Sequence, residues 1–262
     1  MIDKGTVARL WEANAQAWTT QARAGADVFR DQVNTPAFLQ LLPSVQGLAG
    51  LDIGCGEGAN TRLLAALGAR MLGIDIAPTF ISQAQALERA SPQGIRFVAG
   101  DAMGLPFDPG SFDFCTAFMS LMDMPDPGSA LRESWRVLRP GGFLQCSILH
   151  PCFMTPHRKV VRARGGRARA IEVGDYFGST EGRIDEWWFS SVARDQRSRT
   201  PPFRTAIFHR TLGSWFELIA AAGFCLEALR EPAFTGRTQA GTSVLGETRV
   251  APISLQMRLR KG

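Results

Sequence analysis

The sequence lacks the features of several large protein classes. No apolar run approaches the roughly 20 residues of a membrane-spanning helix, and the N-terminus MIDKGTVARLWEANAQAW has no long apolar stretch typical of a secretory signal. The five cysteines are widely spaced and form no Cys-x-x-Cys pair, so neither a disulfide framework nor a zinc site is indicated. No repeat or low-complexity tract occurs. We therefore expect a soluble cytoplasmic protein that binds no metal.

What the sequence does contain is ordinary for a globular protein, with one local exception. Its 262 residues, 45% of them apolar, suffice for one large α/β domain with a modest insertion. The net charge of +5 is concentrated in residues 157–170, which contain no acid and leave the rest of the chain at −1. The basic residues of this Arg-rich segment are Arg158, Lys159, Arg162, Arg164, Arg167 and Arg169. General attraction to nucleic acid is thus not indicated, although a local basic segment is.

Short apolar runs alternate with helix-like stretches between Leu48 and Leu149, a pattern typical of a parallel, doubly wound sheet. Helices are predicted from apolar residues three and four apart, and a final helix at 211–222 is closed by Gly223. The predicted strands are 48–53, 70–75, 95–99, 112–118, 142–149, 224–229 and 252–259, and the other predicted core helices are 58–68, 78–90 and 127–138. The fold class predicted is α/β, Rossmann-like, with a mostly parallel seven-stranded sheet.

The pattern divides the chain into four parts. Residues 1–46 are predicted to form a helical lid segment, and residues 47–150 the cofactor-binding core. Residues 151–210, rich in Arg, Gly, Pro and aromatics without clear periodicity, are predicted to be an insertion after the fifth strand that caps the substrate. Residues 211–262 are expected to complete the sheet with a helix and two strands.

A glycine-rich loop, Asp52-Ile53-Gly54-Cys55-Gly56-Glu57-Gly58, follows the first predicted strand and opens the first core helix. Glycines permit a tight turn and close approach of a ligand to the backbone, and the helix N-terminus offers free N–H donors. By itself the loop is ambiguous, because Gly54, Gly56 and Ala59 also match the G-x-G-x-x-G/A pattern of dinucleotide-binding proteins. A nicotinamide-dependent dehydrogenase is the corresponding alternative.

Two further acids help to decide which class of cofactor the glycine-rich loop binds. Asp75 ends the second predicted strand, where a carboxylate can accept hydrogen bonds from ribose hydroxyls, and Asp101 ends the third, where it can accept from an adenine amino group. With Asp52, they place carboxylates at the carboxyl ends of three successive strands, the edge where open α/β sheets bind ligands.

Five segments in order, LDIGCGEG, GIDIA, GDAMGLPF, FDFCTAFMSLMDMPD and RVLRPGG, resemble the successive motifs of class I S-adenosylmethionine-dependent methyltransferases. The resemblance covers about residues 48–150 and is greatest to the small-molecule branch that includes ubiquinone and menaquinone biosynthesis methyltransferases. It implies S-adenosyl-L-methionine as the cofactor. The dehydrogenase alternative is disfavoured, because such enzymes do not share the Gly-Asp-Ala and Arg-Pro-Gly-Gly elements.

The resemblance also implies roles for residues at matching positions. Asp52 would hold the methionine ammonium, Asp75 the ribose hydroxyls and Asp101 the adenine amino group, while Phe118 would lie beside the sulfonium. The remaining cofactor-binding residues implied are Gly54, Cys55, Gly56, Gly58, Ile76, Ala102 and Met103.

Candidates on the acceptor side come from the residues themselves. His150, at the end of the fifth predicted strand, is a candidate general base; its alternative role is to form a hydrogen bond to a loop or to shape the pocket. Trp11 and Trp18 fall on one helical face with Asn14, which suits either packing on the sheet or a lid. Met119, Trp188, Phe189 and His209 complete the candidate substrate residues. Aromatic side chains in the insertion, either a pocket wall or a small core, are Tyr176, Phe177, Trp187, Trp188, Phe189, Phe203 and Phe208.

These observations predict methyl transfer to a small, planar aromatic or quinone-like molecule through oxygen, nitrogen or carbon. Two alternatives remain open: an RNA methyltransferase using the Arg-rich segment 158–169, and a catalytically silent cofactor-binding regulatory protein. No membrane partner is expected and nucleic acid is disfavoured as a partner, while a homodimer is compatible with the sequence.

Overall fold

The computed structural model describes residues 2–178, 182–192, 195, 197–236 and 244–262. The chain begins with helix α1, Lys4–Arg23, which is capped by the Asp3 side chain accepting a hydrogen bond from the Thr6 N–H. A π-helical turn, Arg30–Asn34, then continues into α2, Thr35–Leu41. The first 41 residues are therefore mostly helical, as the sequence predicts.

Seven strands in the described part of the chain form one sheet in the spatial order β10-β11-β5-β4-β1-β2-β3. Pairing is parallel between β1 and β2, β2 and β3, β1 and β4, and β4 and β5, whereas β11 runs antiparallel to both of its neighbours. The strands are β1 Ala49–Ile53, β2 Arg70–Asp75, β3 Arg96–Ala99, β4 Phe112–Phe118, β5 Leu138–Leu149, β10 Phe224–Arg230 and β11 Ser254–Lys261. This architecture confirms the predicted Rossmann-like fold.

Helices cover both faces of the sheet. On one face Leu131 and Trp215 pack with Leu51 and Ile53, and on the other Leu64 packs in a second cluster with Phe114 and Ile81. These clusters fix the strand order by burying apolar side chains on either side of the parallel strands. The helices concerned are α3 Ala59–Ala66, α4 Pro78–Ala90, α5 Pro127–Val137 and α6 Leu212–Ala221.

The insertion contains two antiparallel hairpins that the sequence pattern does not reveal. They pair β6, His157–Arg162, with β7, Ala168–Gly174, and β8, Arg183–Trp187, with β9, Phe203–Ile207. Most side chains of β6 and β7 are exposed or half-buried, so neither strand shows the apolar alternation that identifies a strand with one buried face. A short helix, α7, Val244–Glu247, precedes β11.

The fifth strand begins earlier than the sequence predicts. β5 starts at Leu138 rather than 142, because the Arg139-Pro140-Gly141-Gly142 segment joins the sheet through an irregular register opposite Phe112 and Phe114. Arg139 forms an ion pair with Asp113 and donates a hydrogen bond to the Gly110 carbonyl. This segment lies at the start of β5, and none of its residues lines the cavity described below. Its role in this structure is to join β5 to β4.

Buried hydrogen bonds hold the π-helical turn against the sheet. Asn34, 1% exposed, donates to Ser147 Oγ at 3.2 Å and accepts from Ser254 Oγ at 2.9 Å. Gln256 Nε2 donates to both the Asn34 carbonyl, at 2.7 Å, and its side-chain oxygen, at 3.0 Å. Because these groups are shielded from water, the network specifies where the helix sits. None of the described helices is long and apolar enough to cross a bilayer.

Candidate functional site

One cavity of about 760 Å³ opens at the carboxyl edge of the parallel strands. Its walls come from the loops after the first four strands, from α1, and from the hairpins of the insertion. Of the predicted cofactor residues, the cavity is lined by Asp52, Gly54, Cys55, Gly56, Asp75, Ile76, Asp101, Ala102, Met103 and Phe118. The predicted substrate residues that line it are Trp11, Trp18, Met119, Trp188, Phe189 and His209. The structure thus brings both predicted sets together.

Two loop glycines are required by close packing. Gly54 has a φ of +66°, and a Cβ there would collide with the side chain of Ser120, whose hydroxyl donates to the Ile53 carbonyl at 2.7 Å. Gly58 has a φ of +84°, and a Cβ there would lie 2.8 Å from the Phe97 ring. Gly58 is not among the residues that line the cavity, and its contact with the cofactor stays a prediction. It allows the chain to enter α3 in a left-handed conformation.

Asp52, at the end of β1, is 1% exposed and points its carboxylate between two threonines. Thr61 Oγ1 donates to one oxygen at 2.6 Å and Thr116 Oγ1 to the other at 2.8 Å. Burial raises the pKa of Asp52 to about 6, partly opposed by these two hydrogen bonds, and the neighbouring Asp75 charge raises it further. The negative charge is therefore costly in the free protein and is favoured by a cationic ligand.

Asp75, at the end of β2, accepts one backbone hydrogen bond on each carboxylate oxygen. The Ala77 N–H donates at 2.9 Å and the Gly56 N–H at 2.8 Å. Burial raises the pKa of Asp75 to about 6, although these N–H groups lower it. Since a carboxylate has about four lone-pair positions, Asp75 retains capacity for two hydroxyl donors from the cavity.

Asp101, after β3, is held from two sides. The Met103 N–H donates to Oδ1 at 2.8 Å, and Lys4 Nζ lies 3.1 Å from Oδ2. Lys4 belongs to α1 and its side chain is 67% exposed, so this ion pair is weak in free-energy terms. It nevertheless places the first turn of α1 at the rim of the cavity.

Glu57 joins the glycine-rich loop to the N-terminal helices, a link that the sequence does not indicate. Its side chain is 5% exposed and lies 3.5 Å from both Arg23 of α1 and Arg30 of the π-helical turn. Both helices also approach the cavity elsewhere: Arg30 lines it, as do Trp11 and Trp18. The segment predicted as a lid is therefore connected electrostatically to the loop that it covers.

An aromatic cluster centred on Trp18 joins α1 to the insertion. The Trp18 ring lies 5.5 Å from Trp187, 4.8 Å from Phe189 and 5.1 Å from Phe203 between ring centroids. Asn14, on the same helical face, exchanges hydrogen bonds with the backbone of Arg204 in β9. Residues of this face pack in a core with the insertion and also line the cavity, whereas the lid role stays a prediction.

The other insertion aromatics divide between the wall and the surrounding structure. Trp188 lines the cavity while its Nε1 donates to the Thr200 carbonyl at 2.7 Å, and Phe208 lines it from a buried position. Tyr176 instead accepts a hydrogen bond from the Leu212 N–H at 2.9 Å, and Phe177 is 89% exposed. The insertion therefore forms one aromatic wall of the cavity.

His150 is not among the residues that line the cavity, contrary to the prediction of a general base there. Its ring is 4% exposed, Nδ1 accepts a hydrogen bond from the Cys152 N–H at 3.2 Å, and Nε2 lies 2.7 Å from Glu231 Oε1. With Nδ1 as an acceptor, Nε2 carries the proton and donates to Glu231. Both nitrogens thus form hydrogen bonds, one of them within the loop after β5, and the alternative of a histidine that hydrogen-bonds a loop fits this geometry.

The Arg-rich segment forms hairpin β6–β7, and part of its charge is neutralised within the protein. Glu247 binds two of its arginines, Arg158 at 3.1 Å and Arg162 at 2.8 Å. Arg158 and Glu247 both line the cavity. The hairpin is therefore attached to the cavity wall through α7, while Arg164, Arg167 and Arg169 are exposed.

An acid that the sequence analysis did not select also lines the cavity. Asp123 ends the 3₁₀ turn Leu121–Asp123 that follows β4, and Arg210 lines the cavity nearby. The signal was available, because Asp123 is the acid after the fourth strand, as Asp52, Asp75 and Asp101 are those after the first three. Asp123 lies in the loop after β4, five residues past Phe118. The pattern of acids at strand ends includes only residues that directly end or follow a strand.

Sequence similarity to known proteins is concentrated in the core. Residues 51–146 match the family described as methyltransferase domain. Demethylmenaquinone methyltransferase of Staphylococcus epidermidis is 39% identical over 104 residues, 38% of this chain and 43% of that protein. O-methyltransferase cnsE of Penicillium expansum is 38% identical over 137 residues, 50% of this chain and 49% of that protein. The chain thus spans less than half the length of these curated relatives.

Structural similarity extends further along the chain. The crystal structure of an S-adenosylmethionine-dependent methyltransferase from Mesorhizobium loti has a TM-score of 0.69 and is 26% identical. The match covers 86% of this chain and 96% of that one, so it includes regions outside the core.

Proposed function

We propose that this chain is a class I S-adenosylmethionine-dependent methyltransferase that methylates a small, planar aromatic or quinone-like molecule, which the match of residues 51–146 to a methyltransferase domain and the fold support. The observation that carries this proposal is the cavity of about 760 Å³, which is lined by three strand-end carboxyls together with tryptophan, phenylalanine and methionine. Its volume of about 760 Å³ falls in the range of about 300–1,000 Å³ common for small-molecule sites. The space accommodates the cofactor together with a small acceptor.

The residues at the strand ends fit S-adenosylmethionine. Asp75 has free lone pairs for the ribose hydroxyls, and Asp52 provides a buried negative charge for the methionine ammonium. Asp101 would accept from the adenine amino group, with Ile76, Ala102 and Met103 around the ring. When bound, S-adenosylmethionine supplies an activated methyl group.

Phe118 is placed to shape the reacting end of the site. Its ring packs on Phe38 of α2, with centroids 3.8 Å apart, and it lines the cavity at the end of β4. The following residue, Met119, has a φ of +52°, unusual for a residue with a side chain. Its N–H is fixed by Ser147, whose carbonyl accepts at 3.0 Å and whose hydroxyl oxygen accepts at 3.1 Å. A rigid wall of this kind favours alignment of acceptor and methyl group.

The aromatic and methionine lining supports a planar acceptor. Flat apolar rings stack on tryptophan and phenylalanine, and thioether side chains adapt to irregular shapes. The matched curated relative from Staphylococcus epidermidis is named for demethylmenaquinone, a quinone. The lining side chains that would contact the acceptor are Trp11, Trp18, Met119, Met122, Trp188 and Phe208.

The test is methyl transfer from isotopically labelled S-adenosylmethionine to a panel of naphthols, naphthohydroquinones and catechols, with products identified by mass spectrometry. We expect labelled product with at least one of these aromatic compounds and none with short RNA duplexes. Transfer to RNA alone would favour the nucleic-acid alternative. Binding of S-adenosylmethionine without transfer to any acceptor would favour the silent regulatory alternative.

A further inference from the structure

Asp123 lines the same cavity as the side chains proposed above to contact the acceptor. It ends the 3₁₀ turn between β4 and α5, four residues after Met119. The neighbouring cavity walls are mainly apolar and include Met122, Met124 and Trp215. A carboxyl placed among such side chains has few alternatives to a ligand as its partner.

Within the residues that the structure describes, no hydrogen bond or ion pair is formed by the Asp123 side chain, whereas Asp52 and Asp75 each accept two. The turn is held instead by main-chain bonds, in which Ser120 accepts from the Asp123 N–H at 3.1 Å. Within the described part of the chain, the Asp123 side chain therefore forms none of the hydrogen bonds that hold the fold.

Arg210 is the charged group that acts on Asp123, and its guanidinium donates three hydrogen bonds to backbone carbonyls. Its Nη2 donates to the carbonyls of Met124 and Pro125 at 3.0 and 2.9 Å, and Nη1 donates to that of Phe208 at 3.3 Å. The guanidinium lies over the Phe208 and Trp215 rings, 5.4 and 5.7 Å from their centroids. It thus supplies a positive field at the cavity without forming an ion pair with Asp123.

The surroundings set the protonation of Asp123. Burial raises its pKa to about 8, and Arg210 lowers it only in part. Other charged groups on the packed elements are engaged elsewhere: Arg132 of α5 with Asp126, Arg204 of β9 with Glu186, and the His209 ring with the Tyr176 carbonyl. A carboxyl that gains and loses its proton near neutral pH is suited to general-base catalysis.

We propose that Asp123 is the general base of the reaction and that the acceptor is an aromatic ring bearing an acidic hydroxyl; this inference rests on the function proposed above. The acceptor oxygen forms a bond to the methyl carbon as the carbon–sulfur bond breaks, with its electron pair remaining on sulfur. The hydroxyl proton passes to the Asp123 carboxylate. The methylated ether, S-adenosylhomocysteine and a protonated Asp123 result, and the proton is later released to solvent.

The charge of Arg210 selects a hydroxyl over an amine. A positive charge beside the acceptor stabilises the developing oxyanion of a phenol or enol and opposes binding of an ammonium ion. The pKa of a phenol, about 10 in an unperturbed tyrosine, is also closer to the pKa of Asp123 than to the pKa of an ordinary carboxyl group. The pKa of Asp123, about 8, is therefore closer to that of a phenol than the pKa values of Asp52 and Asp75, about 6.

A binding experiment tests the recognition step without turnover. The affinities of 1-naphthol and 1-methoxynaphthalene, which differ by the hydroxyl proton, are compared near pH 8 on the full chain by fluorescence titration. Wild type should prefer the naphthol by about tenfold or more, as expected for a hydrogen bond to a charged group. Asp123→Leu should bind both compounds equally, and Asp108→Asn, an exposed acid outside the cavity, should match wild type. Equal preference in wild type and Asp123→Leu would overturn the proposal.

A kinetic experiment tests the proton transfer, using naphthol-type acceptors and labelled S-adenosylmethionine. Wild-type kcat should rise as the pH increases towards about 8, and Asp123→Asn should lose about 100-fold or more in kcat together with that rise. Its affinity for S-adenosylmethionine should be unchanged. An Asp123→Asn enzyme with wild-type kcat and pH profile would contradict the general-base role. Absence of transfer by wild type would instead reject the proposed function, and the binding preference would remain a separate result.

Folding of the Asp123→Asn variant can be checked by its thermal stability. Because the pKa of Asp123 is raised in the folded state, ionisation opposes folding increasingly as the pH rises from its ordinary range towards 8. Asn carries no charge, so the variant should have a higher Tm than wild type above pH 8 and a smaller advantage near pH 5. A lower Tm at both pH values would show that Asp123 stabilises the fold and would contradict the proposal.

Discussion

Asp52 and Asp75 are buried side by side, and each has a pKa of about 6 because burial disfavours its charge. Four donors, two threonine hydroxyls and two backbone N–H groups, keep the pKa values from rising further. The two carboxyls therefore change charge just below neutral pH. A cationic, hydroxyl-bearing ligand would favour the charged forms, which couples binding to pH.

The affinity for S-adenosylmethionine should consequently depend on pH. Both carboxyls are mostly ionised at pH 7 and mostly protonated at pH 5, so the affinity should fall as the pH is lowered through about 6. Each group contributes up to about tenfold over this interval. Isothermal titration calorimetry between pH 5 and pH 8 measures the effect. Asp75→Asn should bind more weakly at pH 7 and show a shallower profile, whereas an affinity independent of pH in wild type would contradict the assignment of both acids.

At the scale of elements, the N-terminal helices and the hairpins are held to the core by a few polar contacts. Asn34 fixes the π-helical turn to β5 and β11, and Glu57 links that turn and α1 to the glycine-rich loop. Glu247 of α7 holds hairpin β6–β7 through Arg158 and Arg162. Each of these contacts joins elements that are distant from each other in the sequence. Because the contacts involve different residues, substitutions can test them separately.

Asn34→Ala should lower the free energy of unfolding by about 3 kcal/mol, because Ser254 and Gln256 lose a buried partner. Urea unfolding followed by circular dichroism gives the value. Gln40→Ala is the matched control, since Gln40 lies exposed on the adjoining α2, and its effect should stay within about 0.5 kcal/mol. Equal effects of the two substitutions would show that the Asn34 network contributes little.

Glu247→Gln should loosen hairpin β6–β7. Arg158 and Glu247 are mostly shielded from solvent, with side chains 18% and 13% exposed, so loss of the charge weakens both arginine contacts. Hydrogen exchange of residues 157–162 should accelerate by about tenfold, which corresponds to about 1.4 kcal/mol. Glu172→Gln removes only half-exposed pairs with His157 and Lys159 and should change exchange little. Unchanged protection in Glu247→Gln would mean that the hairpin is held by other contacts.

For the whole molecule, the sequence predicts the parallel core better than the parts that cover it. β2, α4 and β4 have the predicted limits, because buried parallel strands and amphipathic helices have strong periodicity. The two hairpins of the insertion were not predicted, since their strands are largely exposed and their partners are set by tertiary contacts. The predicted fold is confirmed, and residues 51–146 match a methyltransferase domain, whereas the cofactor and the roles of individual site residues stay predictions.

The candidate site, like the fold, is predicted only in part from the sequence. The strand-end pattern locates Asp52, Asp75 and Asp101 at one cavity, because the carboxyl ends of parallel strands meet at one edge. It fails for His150, whose ring turns towards Glu231, 81 positions away in the sequence. It also misses Asp123, because the path of the loop after β4 decides whether that side chain reaches the cavity. Contacts between distant residues, which the pattern does not contain, determine both outcomes.

The most direct test of the central claim is calorimetric titration of the full chain with S-adenosylhomocysteine at pH 7.5, for wild type and Asp75→Ala. The account predicts one binding site per chain in wild type and an affinity at least about tenfold lower in Asp75→Ala, because the substitution removes the acceptor assigned to both ribose hydroxyls. Absence of binding to wild type, or the same affinity in both proteins, would contradict the account.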